Sequence, residues 1–297
     1  MGWLLGWLWA GNQLALTGFR CRTKLLPLSR LLSIQLIADG CDMDTGGAFA
    51  LPTSLRLLDI TAEVTNVTNF LRQCKCPLPH PALCPILPCP LPLTAGTSLD
   101  TLCCINVRFA EAPQAELSAA LSALRVRTLI VRDTSLRLGQ LSGLPASVQQ
   151  LDYVCSYIHD QPAPEDLAIV SGLTSLTRLS LGYCNLSGHE LHRLQTLTNL
   201  KELYLERNRI SHVDGLAPLT SLTHLSFAYS SSSYRMGGRP MTPSDIGCLT
   251  TLRSLNLSGC PLNDVDFGRL TSLSCLIWHN SSSFGPPPAL PGVHVVV

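Results

Sequence analysis

Apolar positions along this chain fall in a recurring order, L-x-x-L-x-L-x-x-N/C-x-L/I, and that order predicts its elements. The clearest copy starts at Leu200 and runs through Leu203, Leu205 and Asn208 to Ile210. The copy before it reads Leu176, Leu179, Leu181, Cys184 and Leu186. The next two read Leu222, Leu225, Phe227, Ser230 and then Leu252, Leu255, Leu257, Cys260, Leu262, and a weaker last copy carries Leu273, Leu276 and Trp278. The central L-x-L alternates, so successive side chains leave opposite faces of a short strand. Leu203 and Leu205 turn inward; Glu202, Tyr204 and Glu206 turn outward. Where the chain leaves the strand, an amide at Asn208 can bond the backbone of a neighbouring turn. Cysteine fits the same small buried place as a weaker donor, which accounts for Cys184 and Cys260 without invoking reactivity. Leu191, Leu194 and Leu197 have the spacing of a short helix. Each turn is strand, corner, short helical segment and return, and a fixed period of this kind marks a solenoid.

The register continues backwards in eroded form. Val148, Leu151, Tyr153, Ser156 and Ile158 make one copy, Val126, Leu129, Val131, Thr134 and Leu136 another, and Leu102, Ile105, Val107 and Ala110 a third. Leu55, Leu58 and Ile60 fit, as do Leu31, Ile34 and Leu36. Most starts lie 21 to 24 residues apart, and the 47 residues from Leu55 to Leu102 leave room for one further turn. The expectation is an α/β solenoid of about eleven turns with a concave parallel sheet and convex short helices or 3₁₀ segments, well above the ~3 turns a continuous core needs. The segment MGWLLGWLWAG is read as a first repeat through Leu4, Trp7, Trp9, Asn12 and Leu14. The competing reading, a signal peptide, lacks a basic leader, because the first positive charge is Arg20. A first repeat without a polar cap suggests an incomplete chain or a partner-covered end.

The stretch LTNLKELYLERNRISHVDGLAPLTSL, residues 197–222, resembles the 22-residue class of leucine-rich repeat found in regulatory subunits of protein phosphatase 1. The stretch LTSLTRLSLGYCNLSGHELHRLQTL, residues 173–197, is similar to longer, cysteine-containing repeats. The resemblance implies a curved protein-binding solenoid, and its strong matches cover roughly the C-terminal third.

Composition narrows the function. Charged residues make up 14% of the chain and hydrophobic ones 46%, and the net charge of +1 offers no general attraction to nucleic acid or acidic membranes. No run of ~18 apolar residues suggests a membrane span. Thirteen cysteines cannot all pair, and their scatter favours a reducing, cytoplasmic setting slightly over a secreted one. Four N-x-S/T sequons, at Asn66, Asn185, Asn256 and Asn280, point the other way. Cys74, Cys76, His80, Cys84 and Cys89 share a segment holding seven prolines; their spacing lacks paired C-x₂-C knuckles, so no metal is assigned. His189-Glu190-Leu191-His192 falls one residue short of H-E-x-x-H, and no G-x-S-x-G or P-loop occurs. No catalytic residue or cofactor is assigned.

Three regions are expected: degenerate repeats at 1–98 with a Pro/Cys-rich loop at 74–93, a solenoid at 99–283, and a Pro-rich tail at 284–297, disordered or docked. Outward strand positions are the candidate partner site. Laterally stacked turns bring Arg178, Glu202 and His224 side by side, with Tyr204 and Asn256 in the next row, Glu206 beyond it, and Tyr183 and Tyr229 near the corner. Aromatics beside charges suit an interface centre. An insertion at 230–245 stretches one turn to 30 residues and offers Tyr234, Arg235 and Arg239 as further contacts. The function so implied is a non-catalytic scaffold for an unidentified protein, and the repeat resemblance implies a signalling or phosphatase regulator. The alternative is a secreted or cell-surface glycosylated recognition receptor.

Overall fold

The structure, a computed structural model, describes residues 100–105, 113–122, 124–132, 134, 136–155, 164–230, 246–260, 267–279 and 289–297, and the backbone of the strands at 7–10, 13–17, 33–43, 57–64 and 108–109. The chain forms two compact units, Met1–Leu136 with Gln140–Val148, and Arg137–Gly139 with Gln149–Val297.

In the first unit lie strands β1 (Trp7–Ala10), β2 (Gln13–Thr17), β3 (Ser33–Met43), β4 (Leu57–Val64), β5 (Thr101–Ile105), β6 (Arg108–Phe109) and β7 (Thr128–Arg132), with helix α1 (Gln114–Ser122). From β2 onward β3, β4, β5 and β7 follow as parallel neighbours. Three expectations are corrected here. Trp7 and Trp9 do not open a repeat: β1 runs antiparallel to β2, with Trp9 opposite Leu14, and Leu14 and Leu16 sit in register with Ile34 and Leu36. Only Gly11 and Asn12 separate the two strands, a length that permits nothing but a tight hairpin. The further turn expected between Leu55 and Leu102 has no strand in the ladder, because β4 and β5 are direct neighbours. Leu102 pairs with Leu58 and Leu129 and so fills the second template position rather than the first. The spacing Leu102-x-x-Ile105 imitates the template three residues out of step. Cys103 and Cys104 are both buried.

The second unit is one parallel ladder: β8 (Gln150–Val154), β9 (Arg178–Gly182), β10 (Glu202–Tyr204), β11 (His224–Ser226), β12 (Ser254–Asn256), β13 (Cys275–Ile277) and β14 (His294–Val296). Register stacks Leu151, Leu179, Leu203, Leu225, Leu255, Leu276 and Val295 in a line. A second inward line runs through Leu181, Leu205, Phe227, Leu257 and Trp278, all buried. Each such side chain removed from water is worth ~1.5–3 kcal/mol. Residues 289–297 dock onto β13, and the Trp278 amide donates to the Val296 carbonyl at 2.8 Å.

Three return segments are short 3₁₀ helices, at Gly188–Leu194, Asp214–Leu216 and Phe267–Arg269, and the return before β9 carries a short α-helix at Leu167–Ser171. A 3₁₀ helix rises ~2.0 Å per residue and so crosses the layer in fewer residues than an α-helix. The segment at Gly188 starts with a capping box in which Glu190 accepts from the Ser187 amide at 2.7 Å. Before the strands, Thr177, Thr223 and Ser274 hydroxyls donate to the carbonyls of Gln149, Lys201 and Arg253, tying each turn to its predecessor.

Candidate partner-binding face

The sheet face opposite the leucines carries the predicted residues in their expected rows. Glu202 stands between Arg178 and His224 in register, and Tyr204 stands between Ser180 and Ser226, with Asn256 next in line. Arg178 Nη1 donates to Glu202 Oε2 at 2.7 Å, and the Tyr204 hydroxyl donates to the same oxygen at 3.0 Å. The Arg178 guanidinium carbon lies 4.7 Å from the Tyr204 ring centre. Each of the three side chains therefore fixes the other two. Burial, and then the bond to the Glu202 carboxylate, raise the Tyr204 pKa above the ordinary phenol value, so the hydroxyl stays protonated.

Small residues flank this triad. Ser180, Gly182, Ser226 and Ala228 leave Tyr204 and Glu206 standing between low neighbours. Ser226 is 3% exposed, and its Oγ has no hydrogen-bond partner among the described residues. His224 Nδ1 lies 2.9 Å from the Thr223 hydroxyl. Asn256 Oδ1 accepts from the Ser258 amide at 3.1 Å and the Ser258 hydroxyl at 2.8 Å. Tyr234, Arg235 and Arg239 of the insertion, the cluster from Cys74 to Cys89, and the sequons at Asn66 and Asn280 lie outside the described residues.

At the corner beyond the face is a residue that sequence reasoning passed over. Arg207 lies between two aromatic rings, 5.3 Å from the Tyr183 centre and 5.0 Å from that of Tyr229. The three occupy equivalent positions in successive turns, and their backbone N–H groups donate hydrogen bonds to the next turn, Tyr183 to the Glu206 carbonyl, Arg207 to that of Ala228 and Tyr229 to that of Ser258. All three have left-handed backbone, with φ of 57°, 55° and 58°. The conformation costs a residue with a Cβ roughly 1–2 kcal/mol. The following corner has Gly259 at φ 64°, where it costs nothing. The signal was legible: Tyr183, Arg207, Tyr229 and Gly259 each immediately precede the N/C position of the template.

That N/C position is the structural lock. Asn208 Nδ2 donates to the carbonyls of Leu181 at 2.7 Å, Leu205 at 2.9 Å and Glu206 at 3.3 Å, and its Oδ1 accepts from the Leu186 amide at 3.0 Å. Cys184 donates to Gly182 at 3.3 Å and Cys260 to Phe227 at 3.1 Å. Burial raises both thiols, that of Cys260 to about 11, so neither is a thiolate near neutrality. Away from the face, the His189 and His212 rings meet edge to face at 4.6 Å, and His212 Nε2 lies 3.7 Å from Asp214. Burial alone would raise Glu190, but bonds from Ser187 prevail and lower it. No group of three or more potential metal-ligating His, Cys, Asp or Glu side chains occurs among the described residues. Among them, no helix is long and apolar enough to cross a membrane.

Comparison with known proteins agrees with this geometry. The family model described as Leucine Rich Repeat matches residues 251–273. Among solved structures, a chain of the octameric complex of Latrophilin 3, Unc5D and FLRT2, the last represented by its leucine-rich-repeat portion, is 16% identical. The match covers 97% of this chain and 90% of that one, with a TM-score of 0.57. An internalin (inlF) from Listeria monocytogenes is also 16% identical over 96% of this chain and 82% of its own, with a TM-score of 0.49. No curated protein matches the sequence. The fold is a leucine-rich-repeat solenoid.

Proposed function

We propose that the chain is a non-catalytic scaffold that captures a protein partner on the outward sheet face of the second unit, centred on Arg178, Glu202 and Tyr204. The observation that carries this reading is the triad itself. An aromatic ring, a guanidinium and a carboxylate are held in one geometry before any partner arrives, which reduces the ordering cost of association. Glu206, His224, Tyr229 and Asn256 supply the surrounding contacts, and Tyr234, Arg235 and Arg239 of the insertion, outside the described residues, are further contacts proposed from the sequence. The 22-residue repeat resemblance makes a signalling protein, such as a phosphatase catalytic subunit, the partner class of choice.

Tyr204→Ala combined with Glu202→Ala is expected to weaken partner capture about tenfold, the effect of losing a central aromatic anchor. Affinity capture with mass spectrometry reads this, with the circular dichroism spectrum unchanged. Undiminished capture moves the site off this face.

The second reading, a secreted or surface recognition receptor, is favoured by the partial exposure of Asn185 and Asn256, two of the sequon asparagines. Treating host-produced protein with a deglycosylating enzyme separates the readings. A gel shift supports the receptor, and unchanged mobility removes it.

A further inference from the structure

We propose that the corner column Tyr183, Arg207 and Tyr229 is a carboxylate-reading anchor that holds an aspartate or glutamate side chain from an acidic segment of the protein partner. It rests on the reading of the neighbouring sheet face as a partner surface and names the chemistry of what binds there.

The two cations of this region are in different states. Arg178 is already neutralised by Glu202 at 2.7 Å. Arg207 is exposed and, among the described residues, pairs with no carboxylate. Its guanidinium is held by rings instead, one from the turn before and one from the turn after. Rings attract the cation without using its N–H donors, which lie in the guanidinium plane and form a rigid fork. That fork matches the two oxygens of a carboxylate. The structure thus presents an aligned, unneutralised donor set, and charge complementarity selects an acidic side chain.

The fold does not ask for these side chains. The same corner one turn later is Gly259, which meets the backbone requirement without strain. Large residues in left-handed backbone concentrate where function outweighs conformational preference. Here three occur in consecutive turns. Tyr183 is 50% exposed and Tyr229 38%, and the other exposed large hydrophobic among the described residues is Val297. Tyrosine and arginine are the residue types that dominate binding energy, and aromatic walls exclude water from the ion pair they surround.

The test uses a displayed library of random dodecapeptides panned against the full chain. Selected peptides are resynthesised and titrated calorimetrically. Peptides sharing an Asp or Glu whose amide replacement weakens binding about tenfold are expected, the loss typical of one anchoring contact. Arg207→Gln should produce the same loss, and the two changes together should cost little more than either alone, the mark of direct coupling. Arg207→Lys should recover only part of the affinity, because an ammonium lacks the planar fork. Binding should also fall as salt is raised. Arg178→Gln serves as the reference for the sheet face, with circular dichroism confirming the fold of each variant. Peptides without a shared acid, or with an acid that couples to Arg178 and not to Arg207, overturn the anchor and leave the sheet-face reading standing. A library whose binders are indifferent to Arg207, Arg178 and Tyr204 alike overturns both.

Discussion

Two turns of the second unit, one opening at Leu200 and the other at Leu252, stand on the same ladder and differ at the positions the template leaves open. Inward, Leu203 and Leu205 correspond to Leu255 and Leu257, all buried. Outward, Tyr204 corresponds to Asn256, which binds its own neighbour Ser258. At the corner, Arg207 corresponds to Gly259, and at the lock, Asn208 corresponds to Cys260. The later turn is close to what folding alone requires. The earlier one adds a fuller lock, an aromatic on the face and a cation in strained backbone. The difference separates what holds the solenoid up from what it presents.

The lock position should show the largest effect. Asn208→Ala takes the side-chain partner from the Leu181 carbonyl and the Leu186 amide in a buried corner, while the Leu205 and Glu206 carbonyls keep the Ser230 hydroxyl and the Tyr183 amide; at about 1–3 kcal/mol for each group left unsatisfied, a loss of ~3 kcal/mol is expected. Cys260→Ala removes weak thiol bonds and little volume and should cost about 1 kcal/mol. Urea unfolding reads both. Equal losses would mean that the two corners are locked alike.

A corner exchange comes next. Gly259→Ala puts a Cβ 2.4 Å from the Tyr229 ring in left-handed backbone and should cost about 1–2 kcal/mol. Arg207→Gly relieves the same strain while giving up two exposed cation–π contacts of ~0.5–1 kcal/mol each, so its stability should move by under ~1 kcal/mol. Thermal unfolding of the two variants checks the asymmetry. A large loss at Arg207 would make that side chain part of the frame.

The last effect concerns pH and is confined to alkaline solution. The folded Cys260 thiol is raised by burial to about 11, so between about pH 9 and 11 the folded chain holds a proton that the unfolded chain has released. Its contribution to stability is intact below pH 9 and falls as pH rises through that window. Cys260→Ala should flatten this part of the stability curve. Iodoacetamide labelling at neutral pH should modify the exposed Cys248 well before Cys184 or Cys260. Rapid labelling of Cys260 would contradict its role as a buried donor.

Much of the fold was legible because the template repeats its physical requirement. A residue such as Leu203 must fill the same space as Leu179 and Leu225, so the period shows through. The Asn208 bonds were legible for the same reason, since every corner needs a donor for carbonyls that the turn leaves open. Legibility failed where apolar residues outnumber template positions. Leu102 and Ile105 matched the motif out of step, and Trp7 and Trp9 imitated a strand of the array while belonging to a hairpin. The rows of the candidate face could be read from register alone. Arg207 could not be recognised from its identity, because an arginine in a turn looks like any solvated charge until the rings of two other turns are placed beside it.

The sequence by itself determined the repeat, the inward leucines, the polar lock at each corner and the alternation that sends Glu202, Tyr204 and Glu206 outward. These follow from local periodicity and burial, which one turn already encodes. Only the tertiary structure decided that β1 runs antiparallel to β2 and that β4 and β5 are neighbours, that Arg178 is neutralised by Glu202, and that Arg207 stands between Tyr183 and Tyr229 with no carboxylate partner among the described residues. The last two facts depend on residues 22 to 24 positions apart being brought side by side by the stacking of turns, a relation that no single turn contains.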